Sequence, residues 1–261
     1  MKCCICGTVR NCGKYLDNIF VIMEKIGTLF EDYAIILYYD RSDDNTLEKI
    51  QSYSIKNNKL NYYVNSEEML KYRTHRIAKG RNKCLELMNQ HYNDYEYFIM
   101  MDCDDRCNYN IRLKLLKHYL HRNDWDSLSF NHPAGYYDSW ALSIRPYVLS
   151  CHHFDNIGLG QSYISNKIKN TPRHKLISCF SAFNGFAIYR KQKFKNCWYD
   201  GVFRLDYWNP KLIKQNIYAA GKIIIKGISE KNEDCEHRFF HVSAIKKNNA
   251  KIMISPLCLF Y

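Results

Sequence analysis

The strongest chemical signal in the sequence is an apolar segment, residues 97–101, that ends abruptly in carboxylates. Asp102, Asp104 and Asp105 follow it directly. Clustered carboxylates repel one another unless a positive charge lies among them. Carboxylate oxygens suit Mg²⁺ or Mn²⁺, which commonly bind substrate phosphates as well. Asp102 and Asp104 therefore predict a divalent metal site, whereas the simpler alternative is a solvated turn with a helix N-cap at Asp105.

A second acidic turn ends another apolar segment, residues 33–39. Its polar residues include Asp40, Ser42 and Asp44, which taken alone are ordinary turn and cap residues. Two acidic strand ends at one edge of a sheet carry more information, because ligands of open α/β sheets bind beyond the carboxyl ends of the strands. One acidic turn could hold a nucleobase and ribose while the other holds the metal and a diphosphate.

Three arginines, Arg73, Arg76 and Arg81, lie between the two acidic turns. They can pair with a diphosphate or with the aspartates, and a solvated helix face is the structural alternative. The whole chain has 38 Lys and Arg against 26 Asp and Glu, a net charge of +12. These charges are spread along the chain and form no tail, so a lysine-rich surface is favoured over a nucleic-acid-binding one.

Two later segments also contain residues that could bind a ligand or take part in catalysis. Residues 229–241 combine carboxylates with His237 and His241, which would share one helix face; a satisfied structural histidine is the commoner occurrence. Asn184-Gly185 lies in a segment that is otherwise extended. Gly185 would allow a backbone to approach a ligand closely, and an ordinary hairpin turn is an equally good alternative.

These residues need a framework that gathers strand ends at one edge. Apolar runs and helical periodicity alternate through the first half of the chain, which is typical of a parallel sheet with short connections. No G-x-G-x-x-G follows the first apolar run, which argues against a dinucleotide-binding dehydrogenase. The predicted strands are 3–9, 33–39, 59–64 and 95–101, and the predicted helices are 14–30, a segment after 45, and 74–91. The second half predicts extended segments over 178–189, strands at 223–225 and 252–254, and loops or site linings at 136–140 and 152–154.

Length and composition allow one large domain or two small ones, and the absence of a linker favours one. The chain has 261 residues, 46% of them hydrophobic, which is enough for a sizeable core. No apolar run approaches the roughly 20 residues that a membrane span needs. Twelve cysteines without an apolar signal segment or a glycosylation sequon favour free thiols and a cytoplasmic location. Cys3 and Cys6 would point to opposite faces of a strand, so they are not expected to share a zinc ion.

The ordered set of these motifs resembles the GT-A glycosyltransferases, which use nucleotide sugars. It is similar to family-2-type transferases, whose second strand commonly ends in Asp-x-Ser-x-Asp-x-Thr, and to fungal capsule-associated mannosyltransferases, in which an Arg-Asn helix precedes an acidic strand end. The likeness covers about residues 1–130, with fragments beyond, and Lys79-Gly80 replaces the usual small residues. The matching motifs are Arg10-Asn11, Asp40-x-Ser42-x-Asp44-x-Thr46, Arg76 with Arg81-Asn82, and Asp102-x-Asp104.

The resemblance implies an α/β, Rossmann-like GT-A single domain over residues 1–261, with a mostly parallel central sheet flanked by helices. A nucleotide-sugar-binding half would span about 1–130 and an acceptor-shaping half about 131–261. The implied metal ligands are Asp104 and Asp102, completed by His237 or His241, and the implied general base is Asp234, with Glu236 as the alternative. The implied donor contacts are Thr8, Arg10, Asp40, Ser42, Asp44, Arg76, Arg81, Asp102 and Gly185.

Together these inferences predict a metal-dependent transferase that moves a sugar from a UDP- or GDP-linked donor to a hydroxyl of a glycan or another acceptor. Mn²⁺ or Mg²⁺ would be the cofactor, and direct displacement with a carboxylate base would invert the anomeric centre. A sugar nucleotidyltransferase is one alternative, although residues 7–11 are not a Gly-rich phosphate loop. A non-catalytic nucleic-acid-binding protein with stacking tyrosines is another, but acidic strand ends would repel phosphate. No nucleic-acid partner is expected, and the AT-rich-codon composition suggests an AT-rich microbe or a large DNA virus.

Overall fold

An eight-stranded mixed sheet runs through the protein. The computed structural model describes residues 1–149, 157–220 and 232–261. The strands are β1 (Lys2–Val9), β2 (Asp32–Tyr39), β3 (Leu60–Val64), β4 (Tyr97–Met101), β5 (Ser127–Asn131), β6 (Ile177–Cys179), β7 (Phe186–Arg190) and β8 (Ile252–Cys258). The helices are α1 (Gly13–Gly27), α2 (Thr46–Lys56), α3 (Arg73–His91), α4 (Leu113–Leu120), α5 (Ile157–Asn170), α6 (Pro210–Ala220) and α7 (Glu236–Asn248).

The strand order is β3-β2-β1-β4-β7-β5-β8-β6. The first four strands pair in parallel, as do β5 and β8. β7 runs antiparallel to both of its neighbours, β4 and β5, and β6 runs antiparallel to β8. The predicted fold class, an α/β domain with a mostly parallel central sheet, is confirmed, and this one sheet takes strands from both predicted halves of the chain.

The central strands are buried on both faces because helices cover the sheet on each side. Alternate residues of β1 enter different cores: Cys3 and Ile5 pack in the core that includes α1, and Cys4 and Cys6 pack in the core that includes α3. This period of two is the geometry of a strand. It also separates Cys3 from Cys6, as predicted, and the cysteines within the described ranges are free thiols.

The first half of the prediction matches the structure closely. The predicted strands and helices through residue 101 correspond to β1–β4 and α1–α3. In the second half, the extended segment predicted at 178–189 is β6 and β7 with a turn between them, and the strand predicted at 252–254 is the longer β8. The predictions at 152–154 and 223–225 lie outside the described residues. Within the described ranges, no helix combines the length and apolar character needed to cross a bilayer.

Candidate active site

A cavity of about 660 Å³ opens where β1, β2 and β4 end. Parallel strands present their carboxyl ends at one edge of a sheet, and the turns that follow these strands form the cavity wall. Acidic and basic side chains line it in equal number. The acidic ones are Asp40, Asp102, Asp104, Asp138 and Glu236, and the basic ones are Arg10, Arg73, Arg76, Arg81 and Arg106.

Asp40 stands at the carboxyl end of β2 with its side chain largely buried. Its Oδ1 accepts hydrogen bonds from the backbone N–H of Arg41 and from Nδ2 of Asn65, both at 3.0 Å. These two donors fix the carboxylate at the cavity wall. Asp40 and Asp104 line the same cavity, so the two acidic strand ends face one space.

Ser42 and Asp44, two of the implied donor contacts, do not line the cavity. Ser42 Oγ accepts the backbone N–H of Asn11 at 3.0 Å, and Asp44 Oδ2 accepts that of Gly13 at 2.9 Å. These N–H groups lie at and just before the start of α1, where no intrahelical acceptor exists. The two side chains therefore join the β2–α2 turn to the start of α1, and each such bond contributes on the order of 1 kcal/mol.

Asp102 and Asp104 form the second acidic strand end. Asp102 Oδ1 lies 3.1 Å from Arg81 Nη2, and Asp104 Oδ1 accepts the N–H of Arg106 at 3.0 Å. Burial, and then the neighbouring Asp104, raise the pKa of Asp102 against the opposing charge of Arg81. Burial also raises the pKa of Asp104. Two neighbouring carboxylates at one strand end are a donor set that fits a divalent cation.

His237 does not join these carboxylates. In the described part of the chain, no three or more His, Cys, Asp or Glu side chains are gathered closely enough to hold a metal ion. The His237 ring stacks on Phe183 with centroids 3.9 Å apart. Burial first, then the charge of Arg81, lowers the pKa of His237 well below its usual range. The implied set of Asp102, Asp104 and His237 is therefore not assembled, and the fit to a cation is confined to the two aspartates.

Arg81 connects the two sides of the cavity. It lies on the buried face of α3 and is only 4% exposed. Its Nη1 is 2.7 Å from Glu236 Oε1, while its Nη2 is bound to Asp102. The guanidinium also lies over the Phe183 ring, 4.5 Å from the centroid. The buried Arg81 guanidinium thus pairs with two carboxylates, Asp102 after β4 and Glu236 at the start of α7.

The remaining implied donor contacts divide between wall and scaffold. Thr8, Arg10 and Arg76 line the cavity. Arg10 Nε donates to the carbonyl of Arg41 at 3.1 Å, and Arg76 Nη1 donates to the carbonyl of Leu70 at 2.7 Å. These bonds hold both arginines at the mouth of the cavity.

Gly185 does not line the cavity, and its conformation answers a packing need. Its φ is +85°, and an added Cβ would overlap the hydroxyl of Tyr137. Its carbonyl accepts the backbone N–H of Asp102 at 2.8 Å. The turn before β7 therefore supports the acidic strand end from behind. The implied contact of Gly185 with the donor stays a prediction.

Asp234 lies outside the cavity wall, and its carboxylate is bound elsewhere. It is 1% exposed, with Oδ2 2.8 Å from Arg238 Nε one helical turn away. Arg238 also donates to the carbonyls of Leu142 and Val148. The structure thus gives Asp234 a scaffold position, where it holds the cation that fastens the 142–148 segment to α7. Glu236, the alternative, does line the cavity.

Asp138 is a cavity residue whose individual importance the sequence did not reveal. Its carboxylate accepts the N–H of Ala141 at 3.1 Å and that of Asn184 at 3.3 Å. Burial first, and also the charge of Glu236, raise its pKa. The local pattern is only that of an Asp in a loop, so its position at the cavity comes from the packing of residues 136–141 against the turn before β7.

Residues 4–198 match the family described as Glycosyl transferase family 2. The crystal structure of S. aureus TarS 1–349 superposes with a TM-score of 0.52 at 17% identity, over 100% of this chain and 60% of that one. The same protein in complex with UDP-GlcNAc gives 0.50 at 17% identity, over 100% and 58%. The chain thus spans less than two thirds of these proteins. A search of curated proteins finds no match.

Proposed function

This chain belongs to glycosyl transferase family 2, and we propose that it moves a sugar from a nucleoside diphosphate sugar to a hydroxyl group of an acceptor. The observation that carries the proposal is the cavity itself, in which two acidic strand ends and a set of arginines face one another. Structures of S. aureus TarS with this fold are complexes with UDP and with UDP-GlcNAc. A UDP-linked donor is therefore the first candidate and a GDP-linked donor the second.

The donor occupies the half of the cavity beside β1 and β2. Asp40, held by two hydrogen bonds, accepts hydrogen bonds from the nucleoside. Arg10, Arg73 and Arg76 also line the cavity and supply guanidinium groups, whose fork of N–H donors matches phosphate oxygens. The net charge of +12 then has a local use at the diphosphate.

Asp102 and Asp104 would hold a divalent cation, Mn²⁺ or Mg²⁺, at the cavity wall. When bound, the ion neutralises charge that develops on the departing diphosphate. The support for this assignment is their position, since both carboxylates directly follow β4 and line the cavity. Burial raises the pKa of both, and the neighbouring Asp104 adds to the rise at Asp102. Arg81 offsets only part of it because the same guanidinium also serves Glu236.

Glu236 is the general base, in preference to Asp234. The acceptor hydroxyl oxygen bonds to the anomeric carbon while the bond from that carbon to the diphosphate oxygen breaks. The hydroxyl proton passes to Glu236, and the diphosphate leaves with the bonding electron pair. Attack opposite to the leaving group inverts the anomeric centre. Arg81 holds the Glu236 carboxylate in place at 2.7 Å.

Donor binding tests this proposal without knowledge of the acceptor. The wild-type chain is titrated with UDP, GDP and their hexose conjugates, with and without Mn²⁺, by calorimetry and thermal shift. We expect one nucleotide series to bind, with Mn²⁺ tightening binding by tenfold or more. Asp104→Asn should remove the Mn²⁺ effect, whereas Asp105→Asn, at a neighbouring exposed carboxylate, should keep it. If no nucleotide binds, with or without Mn²⁺, the proposed function is refuted. If Mn²⁺ tightens binding to Asp104→Asn as much as to the wild type, the metal assignment is refuted.

A further inference from the structure

One end of the cavity contains polar groups whose hydrogen-bonding capacity is left unused by the described residues. Asp138, Glu236 and His237 all line the cavity; the charge of Glu236 acts on Asp138, and its Oε1 lies 3.8 Å from His237 Nε2. They come from different elements, Asp138 from the loop after β5 and the other two from the first turn of α7. Their convergence in one space is a property of the fold and not of a local motif.

Asp138 is held rigidly, with its charge little compensated. The N–H groups of Ala141 and Asn184 each bond to one of its oxygens. In return, Oδ1 of Asn184 accepts the N–H groups of Tyr137 and Asp138, at 3.0 and 3.1 Å. Within the described ranges no Lys, Arg or His forms an ion pair with Asp138, and the charges that face it are those of Glu236, Asp102 and the shared Arg81.

His237 adds two unused ring nitrogens. It is 1% exposed, yet within the described part of the chain neither Nδ1 nor Nε2 has a hydrogen-bond partner. The Glu236 oxygen lies 3.8 Å from Nε2, which is longer than a hydrogen bond. Buried polar atoms are almost always bonded in native proteins, so orphaned nitrogens at a cavity wall indicate a partner that arrives with the ligand.

We propose that this end of the cavity binds a polyhydroxylated acceptor, a sugar ring or a linear polyol, and that Asp138 determines this specificity. The inference rests on the proposed function and names its acceptor class. Each hydroxyl both donates and accepts. While Glu236 takes the proton of the reacting hydroxyl, a second hydroxyl of the same molecule donates to Asp138, and His237 bonds to a further one. A lone alcohol satisfies Glu236 alone and leaves the other two groups without partners.

The experiment uses the full chain with UDP- and GDP-linked hexoses and Mn²⁺, and it measures release of the nucleoside diphosphate. Release without acceptor reports donor use. Methyl pyranosides, ribitol, n-propanol and a serine-containing peptide are then added separately. We expect a methyl pyranoside or ribitol to accelerate release at least tenfold more than n-propanol or the peptide, because a site built for hydroxyls strongly rejects analogues without them. The pyranosides and ribitol distinguish a ring from a linear polyol.

Asp138→Asn provides the residue-level test. It should raise the half-saturating polyol concentration about tenfold to a hundredfold, the range for a lost hydrogen bond to a charged group. Asp126→Asn is the matched control. Asp126 is another buried aspartate that accepts a backbone N–H, that of Lys251 at 2.8 Å, and it lies outside this cavity. Its variant should keep the wild-type value.

The outcomes separate the two proposals. Equal acceleration by all four acceptors, or equal behaviour of Asp138→Asn and Asp126→Asn, would overturn the assigned acceptor class. If Asp138→Asn does not fold, the wild type is assayed with deoxy forms of the active acceptor. At least one of these should lose tenfold or more in stimulation, and retention by all of them would overturn the inference. Failure to release any nucleoside diphosphate would refute the proposed function, and the inference would fall with it.

Discussion

Replacing Arg81 by methionine is expected to expose how strongly the cavity depends on one shared cation. Methionine keeps much of the length and apolar contact of the arginine stem but removes the guanidinium. Glu236 and Asp102, whose side chains are 5% and 28% exposed, then lose their common partner. Removing one member of a buried ion pair typically costs about 3–5 kcal/mol because a buried charge is left uncompensated. For a domain of this size, that range corresponds to a fall of about 6–20 °C in melting temperature.

The pH dependence gives the same prediction a second readout. Burial and Asp104 already raise the pKa of Asp102, and Arg81 opposes them. Without Arg81 this pKa rises further above its unfolded value. A carboxylate whose pKa is raised in the folded state destabilises the protein fully at pH values above that pKa. The cost shrinks as pH falls through the folded pKa and is gone below the unfolded pKa. The deficit of Arg81→Met relative to wild type should therefore be larger at pH 7.5 than at pH 4.5.

Circular dichroism melts of three variants at both pH values make the measurement. Arg81→Lys keeps the charge but loses the two-pronged geometry, so its deficit should be smaller than that of Arg81→Met. Arg122→Met is the control, since Arg122 pairs with a partly exposed Asp124 and such surface pairs contribute about 1 kcal/mol or less. A melting temperature of Arg81→Met within about 2 °C of wild type at pH 7.5 would refute the reasoning.

Two further substitutions probe the walls of the cavity. Gly185→Ala should destabilise the protein by about 1–2 kcal/mol, because alanine is strained at positive φ and its Cβ overlaps the Tyr137 hydroxyl. Adding Tyr137→Phe should recover part of this loss in a thermal melt. No recovery would contradict the overlap. Glu236→Gln should reduce sugar transfer at least a hundredfold while donor binding persists. Asp234→Asn should mainly lower the melting temperature, because it weakens the ion pair with Arg238. Kinetic and melting assays of both variants make the test, and the reverse pattern would indicate Asp234 as the base.

The acidic strand end could be predicted because its signal is local. An apolar run that stops at Asp102 and Asp104 marks both a buried strand and the point where it leaves the core. The position of Arg81 on the buried face of α3 could also be predicted, since Ala78 and Leu85 lie on the same face. Its second partner, Glu236, lies far away in sequence, and only the packing of α7 against α3 brings the two side chains together.

The choice between Asp234 and Glu236, two residues apart, depended on where the helix begins, which the sequence does not specify to one residue. Because α7 begins at Glu236, that side chain faces the cavity, while Asp234 precedes the helix and turns toward Arg238. The role of Asp138 was equally inaccessible, because its position depends on contacts with Asn184. Strand direction was also hidden, since the apolar pattern of β7 is compatible with either orientation.

The antiparallel strand β7 has a consequence for the integrity of the chain. It pairs with β4 on one side and β5 on the other. One neighbour of β4, the strand that leads into Asp102, is therefore synthesised much later than β4 itself. A fragment terminated near residue 130 would leave β4 with a bare edge, open to association with other chains, and without the Gly185 carbonyl behind Asp102. Residues 1–130 are therefore not a detachable module, and recombination between relatives would need to exchange β7 together with β1–β4.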